Sequence, residues 1–378
     1  MQEKINVKTG GKLYIAGEYS VLTPGQSAII KNIDIFMNAE ISFLGEIEDR
    51  NDEKIEDAEK NKEKSDFKKY EIFSDMFDYS VSLEYDKNYS LIQETVVVVN
   101  EYLENKGIDI KPFKLRITGK MEKDGKKYGI GSSGSVTVLV VKAMFELYSR
   151  KLVAEAEVSE VEFKGQRSEV LEDLASKDTM FKLSSYVLLK RGDNGSMGDI
   201  ACIAYGNLVA YKSFDREKIQ KEIREKTLEE VLELDWGYEI EELRCSGNYE
   251  FLVGWTKKPS ISKDMINLVK SSINQDFLKK VEKIVQNLKM AMKNGDKMEI
   301  KKNILENGNE LKKLKEEIYS EELVELVEAT ENLDICAKSS GSGGGDCGIA
   351  ISFSKKDSEI LVERWKSVGI ELLYKSEL

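Results

Sequence analysis

Tyr128-Gly129-Ile130-Gly131-Ser132-Ser133-Gly134-Ser135 runs directly into the apolar stretch Val136 to Tyr148. The glycines free the backbone to turn tightly, and the apolar stretch predicts one continuous helix. A glycine-rich turn that opens a helix is an anion site, because the unpaired first-turn N–H groups and the positive end of the helix dipole point at one spot. The serine hydroxyls add donors, or a ligand for magnesium. The competing reading is a plain glycine- and serine-rich connection. Lys120, Lys123, Lys126 and Lys127 lie just upstream in a chain of net charge −12, so positive charge is concentrated beside the turn and favours a polyanionic ligand. The P-loop pattern is absent, since Ser133 to Ser135 include no lysine, and no G-x-G-x-x-G opens the first strand–helix unit.

The chain has 378 residues, 41% hydrophobic and 8% aromatic, which suits two ordinary globular domains. Its 69 Asp and Glu against 57 Lys and Arg argue against nucleic acid as the main partner. Without a run of about 18 apolar residues, and with a polar Met1 to Lys8, the expectation is no membrane span, no signal peptide and a cytoplasmic protein. Cys202, Cys245, Cys336 and Cys347 are far apart and show no C-x-x-C spacing, which points away from zinc and from a disulfide framework. Histidine is absent. A Ser-His-Asp hydrolase is therefore excluded, and proton transfer falls to Asp, Glu, Lys or Tyr.

Upstream of the quoted stretch, Ile5 to Val7 and Lys12 to Ala16 read as short strands joined by a Gly10-Gly11 turn, with Gly17-Glu18-Tyr19 closing the second. Lys12 is either a lysine that reaches a bound anion or a solvated strand-end charge. Phe36 to Phe43 alternates as a half-buried strand should. Glu46 to Lys69 is almost wholly charged or polar and reads as an exposed, flexible insertion. Leu91 to Leu103 predicts a helix, and Leu115 to Thr118 the strand that leads to the lysines. Val153 to Leu174 reads as a second charged surface excursion, although Val161, Phe163, Val170, Leu171 and Leu174 allow a marginal amphipathic helix. After a helix over Phe181 to Leu189, a second glycine-rich loop, Gly192 to Asp199, ends on a carboxylate.

A composition change at Lys212 to Glu230 marks the expected boundary between domains 1–215 and 216–378. The second domain reads as strand Phe251 to Trp255, helices over Lys263 to Met292, Lys297 to Ile318 and Glu321 to Leu333, strand Gly348 to Phe353, helix Asp357 to Val368 and strand Ile370 to Tyr374. That is an α+β pattern with helices on one face of an antiparallel sheet. A third glycine-rich loop, Ala337 to Asp346, precedes the Gly348 strand.

Three segments where the backbone must approach something closely serve no evident structural need. Gly11-Lys12-Leu13 through Gly17-Glu18-Tyr19-Ser20-Val21-Leu22 resembles the first motif of the GHMP kinases, Gly129-Ile130-Gly131-Ser132-Ser133 the second, and Lys338 to Gly345 the third, in the same order across nearly the whole chain. Gly17-Glu18-Tyr19, Lys127-Tyr128-Gly129, Arg191 to Asp199, Gly254-Trp255-Thr256-Lys257 and Gly343 to Cys347 are most similar to the bacterial phosphomevalonate kinase branch. Ser342 departs from the alanine usual in the third motif, and the two charged stretches look longer than in that branch.

The resemblance implies an α+β GHMP kinase fold, with an α/β N-terminal domain and a ferredoxin-like C-terminal domain enclosing the site. It implies phosphoryl transfer from ATP, with Mg2+, to mevalonate 5-phosphate on the mevalonate route to isoprenoids. Gly129, Ile130, Gly131, Ser132, Ser133, Gly134 and Ser135 would then wrap the ATP phosphates, with Ser133 on magnesium. Asp199 would orient or deprotonate the attacking oxygen, and Lys12 would lie near the γ-phosphoryl and the acceptor phosphate. Tyr19, Lys127, Ser196, Ser262, Ser340, Gly341 and Ser342 would meet the acceptor, Ser262 also capping a helix. Asp193 and Asp346 read as loop-structuring carboxylates. The alternatives are mevalonate kinase, which resembles Gly-Glu-His where Tyr19 stands, another small-molecule kinase of the group, or a catalytically silent binder of the same fold. The expected assembly is a monomer or homodimer.

Overall fold

Ile5–Ala16 forms one uninterrupted strand, β1, paired antiparallel along Ser27–Phe43 (β2). The turn expected at Gly10-Gly11 is instead a register shift within β1. A Cβ on Gly10 would lie 2.4 Å from the Ile33 carbonyl oxygen, and one on Gly11 would lie 2.7 Å from Ile130 Cδ1. The glycines are thus there for close approach, and the bulge lets the second glycine-rich motif pack on the strand. The computed structural model describes residues 4–44, 69–158, 164–260 and 262–378. The charged insertion read over 46–69 lies outside the described residues apart from Lys69.

Glu71–Ser74 (β3), Ser80–Val81 (β4) and Phe113–Thr118 (β5) extend the first sheet on one side of β2. A small hairpin of Glu122–Lys123 (β6) and Lys126–Lys127 (β7) comes next in the chain, and Leu208–Lys212 (β8) and Glu239–Leu243 (β9) extend the sheet on the other side. The sheet therefore reaches beyond the composition change at 212–230. Among the described residues five helices belong to this part: Ser90–Asn105 (α1), Ser132–Val158 (α2), Lys164–Ala175 (α3), Lys177–Lys190 (α4) and Gly198–Tyr205 (α5). α2 packs on β1 and β2 with α1, α4 and α5 around it. Its buried Val138, Leu139, Val140, Val141, Met144 and Tyr148 explain why the sequence is apolar on every face there. Over 153–174 the amphipathic-helix alternative holds for α3, whose Val170 and Leu174 are buried in the core, and the surface excursion is corrected, since Val153 to Val158 continue α2. Val161 and Phe163 lie outside the described residues.

Arg216–Glu225 (α6) and Leu228–Glu233 (α7) cross from β8 to β9, each with a polar cap, Asp215 on the Lys218 N–H and Thr227 in a capping box with Glu230. The second sheet, in the order β11-β12-β10-β13, is antiparallel throughout and comprises Glu250–Trp255 (β10), Ile335–Ser339 (β11), Cys347–Ser352 (β12) and Glu371–Glu377 (β13). Its helices are Ser262–Val269 (α8), Gln275–Asn294 (α9), Lys297–Leu314 (α10), Glu321–Glu328 (α11) and Lys355–Ser367 (α12). The single helix read over Lys263 to Met292 is two, because Ile273 is extended and Asn274 caps α9 by accepting from the Phe277 N–H at 3.0 Å. The third loop also starts later than read, since Ala337 to Ser339 are still buried strand. α9 ties the halves together: Glu282 accepts from the Ser27 N–H at 2.8 Å and from the Ser27 hydroxyl at 3.0 Å. Among the described residues no helix is long and apolar enough to cross a membrane.

Candidate active site

The backbone turns at Gly129 and Gly131, both at positive φ, and α2 begins at Ser132. The amides from Gly129 to Gly134 donate to no described residue. Consecutive unengaged N–H groups at the positive end of a 27-residue helix form an anion cradle. The loop is pinned from behind, where the Lys12 N–H donates to the Ile130 carbonyl at 2.9 Å. Ser135 departs from its expected phosphate contact. Its buried hydroxyl lies 2.9 Å from the Thr9 hydroxyl and 3.2 Å from the Gly10 carbonyl, so it anchors the loop to β1. Ser133, by contrast, is exposed at the helix start.

Lys12 and Asp199 press on this loop from two sides. A Cβ on Gly131 would lie 2.8 Å from Lys12 Cε, and one on Gly134 would lie 2.9 Å from Asp199 Oδ2. Only glycine lets both groups come so near. Lys12 is half-buried in the middle of β1, which removes the reading of a solvated strand-end charge. Asp199 lies in the first turn of α5, so the N-terminal turns of α2 and α5 meet and their dipoles add to the lysine's positive potential.

The third loop forms the facing wall. The Ser340 hydroxyl donates to the Tyr14 carbonyl at 2.8 Å, while the Tyr14 and Ser196 hydroxyls lie 2.9 Å apart. Ser196 also accepts from the Gly198 N–H at 3.2 Å. Burial first, then the charge of Asp199, pushes the Tyr14 phenol well above its ordinary pKa. Tyr19 is buried at φ 62 and its hydroxyl donates to the Ser342 carbonyl. Met197, just before α5, is buried at φ 65. Bulky residues in this region cost about 1–3 kcal/mol each and persist where their surroundings fix them.

Beneath Tyr19, Lys338 of β11 donates to Glu18 and to the Ser339 carbonyl, the latter at 2.6 Å. The pair is sealed from water, with 0% and 2% of the two side chains exposed, and burial holds the Lys338 ammonium below its ordinary pKa. Asn307 completes it, donating to Glu18 Oε2 and accepting from the Gly17 N–H, both at 3.2 Å. Asp346 reaches the cradle itself: a Cβ on Gly129 would lie 2.3 Å from its carboxyl carbon. Burial raises the Asp346 pKa to about 6, against the opposing pull of the Ser260 N–H and of Lys12.

Residues 90–207 match the GHMP kinases N terminal domain and residues 288–371 match GHMP kinases C terminal, together more than half of the chain. The chain is 43% identical to Streptococcus pneumoniae phosphomevalonate kinase solved in complex with phosphomevalonate and AMPPNP, covering 99% of this chain and 100% of that one with a TM-score of 0.84. The chain belongs to the GHMP kinases. A Streptomyces phosphomevalonate kinase is 25% identical over 95% of this chain and 93% of its own length. Methanococcus jannaschii mevalonate kinase, 19% identical with a TM-score of 0.66 over 100% and 99% of the two chains, shares the fold.

In this GHMP kinase the upstream lysines divide. Lys123 is paired with Glu371 at 2.7 Å, and Lys257 reaches the same carboxylate at 3.3 Å, so Lys123 serves the contact between the β6–β7 hairpin and β13. Lys127 is exposed on that hairpin. Its neighbour Tyr128 packs edge-on against Trp255 with ring centres 5.0 Å apart. Gly341 and Ser342 are half-buried on the third loop. Ser262 opens α8, and its side chain lies outside the described residues. Sequence reasoning misses Tyr14, the Glu18–Lys338 pair and the reach of Asp346 to Gly129. Each depends on partners distant in the chain, and the one local signal is a tyrosine two residues after Lys12.

Proposed function

We propose that this chain transfers the γ-phosphoryl group of ATP to the phosphate of mevalonate 5-phosphate, giving ADP and mevalonate 5-diphosphate. The observation that carries the reading is the set of unengaged amides from Gly129 to Gly134 with Lys12 and Asp199 pressed against it. Phosphoryl transfer is chiefly positioning and neutralisation of charge on oxygens, which is what such a set supplies. The relative solved with phosphomevalonate and AMPPNP supports the choice of substrates.

In this reading the loop amides hold the ATP phosphates, and Lys12 stands between the γ-phosphoryl and the acceptor phosphate. The acceptor is already largely dianionic at neutral pH, with its second pKa at about 6, so Asp199 orients it rather than deprotonating it. Lys127 balances the acceptor's charge from the hairpin. Tyr19 and the third loop, which touch through the Ser342 carbonyl, form the wall that excludes water. Magnesium would neutralise the phosphate oxygens. The exposed Ser133 hydroxyl at the start of α2 would fit it, and among the described residues no group of three or more carboxylate or thiol side chains could hold a metal. The ion would thus take most of its ligands from the nucleotide and water.

The test is ADP release with ATP and magnesium, comparing mevalonate 5-phosphate with mevalonate, for the wild type and Lys127→Ala. The reading expects turnover confined to the phosphorylated acceptor, with a raised KM for it in the variant. A preference for mevalonate would overturn it in favour of an alcohol acceptor, and no turnover with either would leave a silent binder.

A further inference from the structure

The Tyr14 side chain reaches from β1 to the start of α5. A Cβ on Gly198 would lie 2.7 Å from the Tyr14 hydroxyl and 3.2 Å from Ser196 Oγ, so glycine at that position is what lets phenol and serine meet. The two hydroxyl oxygens lie 2.9 Å apart and are buried. Ser196 is gripped a second time through its backbone, where the Tyr211 hydroxyl donates to its carbonyl at 2.7 Å. Neither phenol belongs to the set of reacting groups.

Proton accounting decides which hydroxyl donates. Phenol and serine each carry one O–H to give and lone pairs to receive. Burial, and then the charge of Asp199, hold the phenol in its protonated form. Among the described residues its hydroxyl has one polar partner, Ser196 Oγ. If the serine donated, the phenol proton would be buried without an acceptor, which is the costlier arrangement. Tyr14 therefore donates. Ser196 Oγ also accepts from the Gly198 N–H at 3.2 Å, so both of its lone pairs are taken. What remains is its own O–H, which donates to no described residue. The Lys12 ammonium lies 5.2 Å from the centre of the Tyr14 ring, and Asp199 is near enough for its charge to act on the phenol. This O–H thus stands among the reacting groups.

We propose that Tyr14 is a positioning residue that makes Ser196 a donor only, with its hydroxyl held for the acceptor phosphate. The inference rests on the phosphoryl-transfer reading and names what Ser196 does in it. A phosphate dianion offers only acceptor oxygens, so a serine whose lone pairs are already filled meets it in the one sense that binds. Without the phenol proton, Ser196 keeps its hydroxyl but loses the partner that fixes its direction, and binding must reorient it.

The test is calorimetric titration of mevalonate 5-phosphate into the wild type, Tyr14→Phe, Ser196→Ala and the double variant, each saturated with AMPPNP. Tyr14→Phe keeps the ring beside Lys12 and removes only the O–H. It should weaken acceptor binding about three- to tenfold, and Ser196→Ala about tenfold or more, because a hydrogen bond to a charged group is lost. The double variant should match Ser196→Ala within about twofold, since Tyr14 acts only through the serine. AMPPNP affinity should stay near that of the wild type throughout, which a general loosening of the site would not allow. Ser196→Ala also strands the phenol proton, so its urea midpoint should fall and should recover when Tyr14→Phe is added. Equal acceptor affinity in the wild type and Tyr14→Phe, losses that multiply in the double variant, or a midpoint that falls further there would each overturn the inference and leave the phosphoryl transfer standing. A wild type that takes up no mevalonate 5-phosphate would overturn both.

Discussion

Between Gly129 and Gly134 the backbone turns straight into the 27 residues of α2, whereas between Gly341 and Gly345 it only joins the antiparallel strands β11 and β12. In the first loop the amides donate to no described residue and a helix dipole stands behind them. In the second, the amides of Ser340, Gly344 and Asp346 already donate to the carbonyls of Cys347, Ile318 and Lys258. A Cβ on Gly343 or Gly345 would lie 2.4 Å from the Ile318 or Lys258 carbonyl oxygen, so glycine there permits packing. Two loops of similar composition thus become an anion cradle and a packed wall. The difference lies in the element that each loop enters, a helix or a strand, and in which amides are left unengaged.

The sharpest way to break the comparison is to undo the wall without touching the cradle. Lys338→Met leaves Glu18 buried and uncompensated, and should cost about 3–5 kcal/mol of stability. Urea unfolding reads this as a lower midpoint at unchanged slope, and adding Glu18→Gln should restore most of the loss. A loss under about 1 kcal/mol would mean that the pair does not hold the wall. The cradle gives the opposite signature. Lys12→Ala removes a charge that faces the Gly131 turn, so ADP release should fall by about a hundred- to a thousandfold while the unfolding midpoint stays near that of the wild type.

These two variants also mark what the sequence could reveal. The cradle was legible from Gly129, Gly131, Gly134 and the apolar run after them, because backbone freedom and a helix start are local properties. The strands Phe113–Thr118 and Glu250–Trp255 and the helix Ser90–Asn105 were legible for the same reason. The wall was not, since Lys338 meets a glutamate 320 residues away. A lysine in a strand carries no mark of whether it faces water or a buried partner. The bulge at Gly10 and Gly11 looked like a turn because glycine pairs serve both ends, and the crowding by Ile33 and Ile130 that decides between them is a tertiary fact. β9 was hidden by its glutamates, Glu239, Glu241 and Glu242, which report exposure rather than sheet membership.

Asp346 joins the two loops, and its titration measures how closely they sit. The unfolded chain releases this proton near the ordinary 3.8, but the folded chain holds it to about 6 because the carboxyl is buried against Gly129. Between those values the folded state binds more protons, so this group's contribution to stability falls as pH rises from about 4 to about 6. The two-unit gap corresponds to at most about 3 kcal/mol. Asp346→Asn keeps an acceptor for the Ser260 N–H and removes the slope. Urea unfolding of both proteins at about pH 4.5 and pH 7 should therefore show the variant gaining on the wild type at the higher pH. Parallel pH dependence would mean that the carboxyl is not confined between the loops.

The smallest effect separates strain from contact. Gly341 and Gly131 have similar left-handed backbones, at φ 76 and φ 86, so alanine at either position carries a comparable conformational cost of about 1 kcal/mol. Their surroundings differ. A Cβ on Gly341 would have nothing within 4 Å, while one on Gly131 would lie 2.8 Å from Lys12 Cε. Gly341→Ala should therefore lower the unfolding free energy by about 1 kcal/mol and leave the KM for ATP unchanged. Gly131→Ala should lose a similar amount of stability but also displace Lys12, which shows as a fall in kcat. If the two variants matched in both readouts, left-handed strain alone would account for the glycines of both loops, and the close approach of Lys12 to the cradle would be incidental to it.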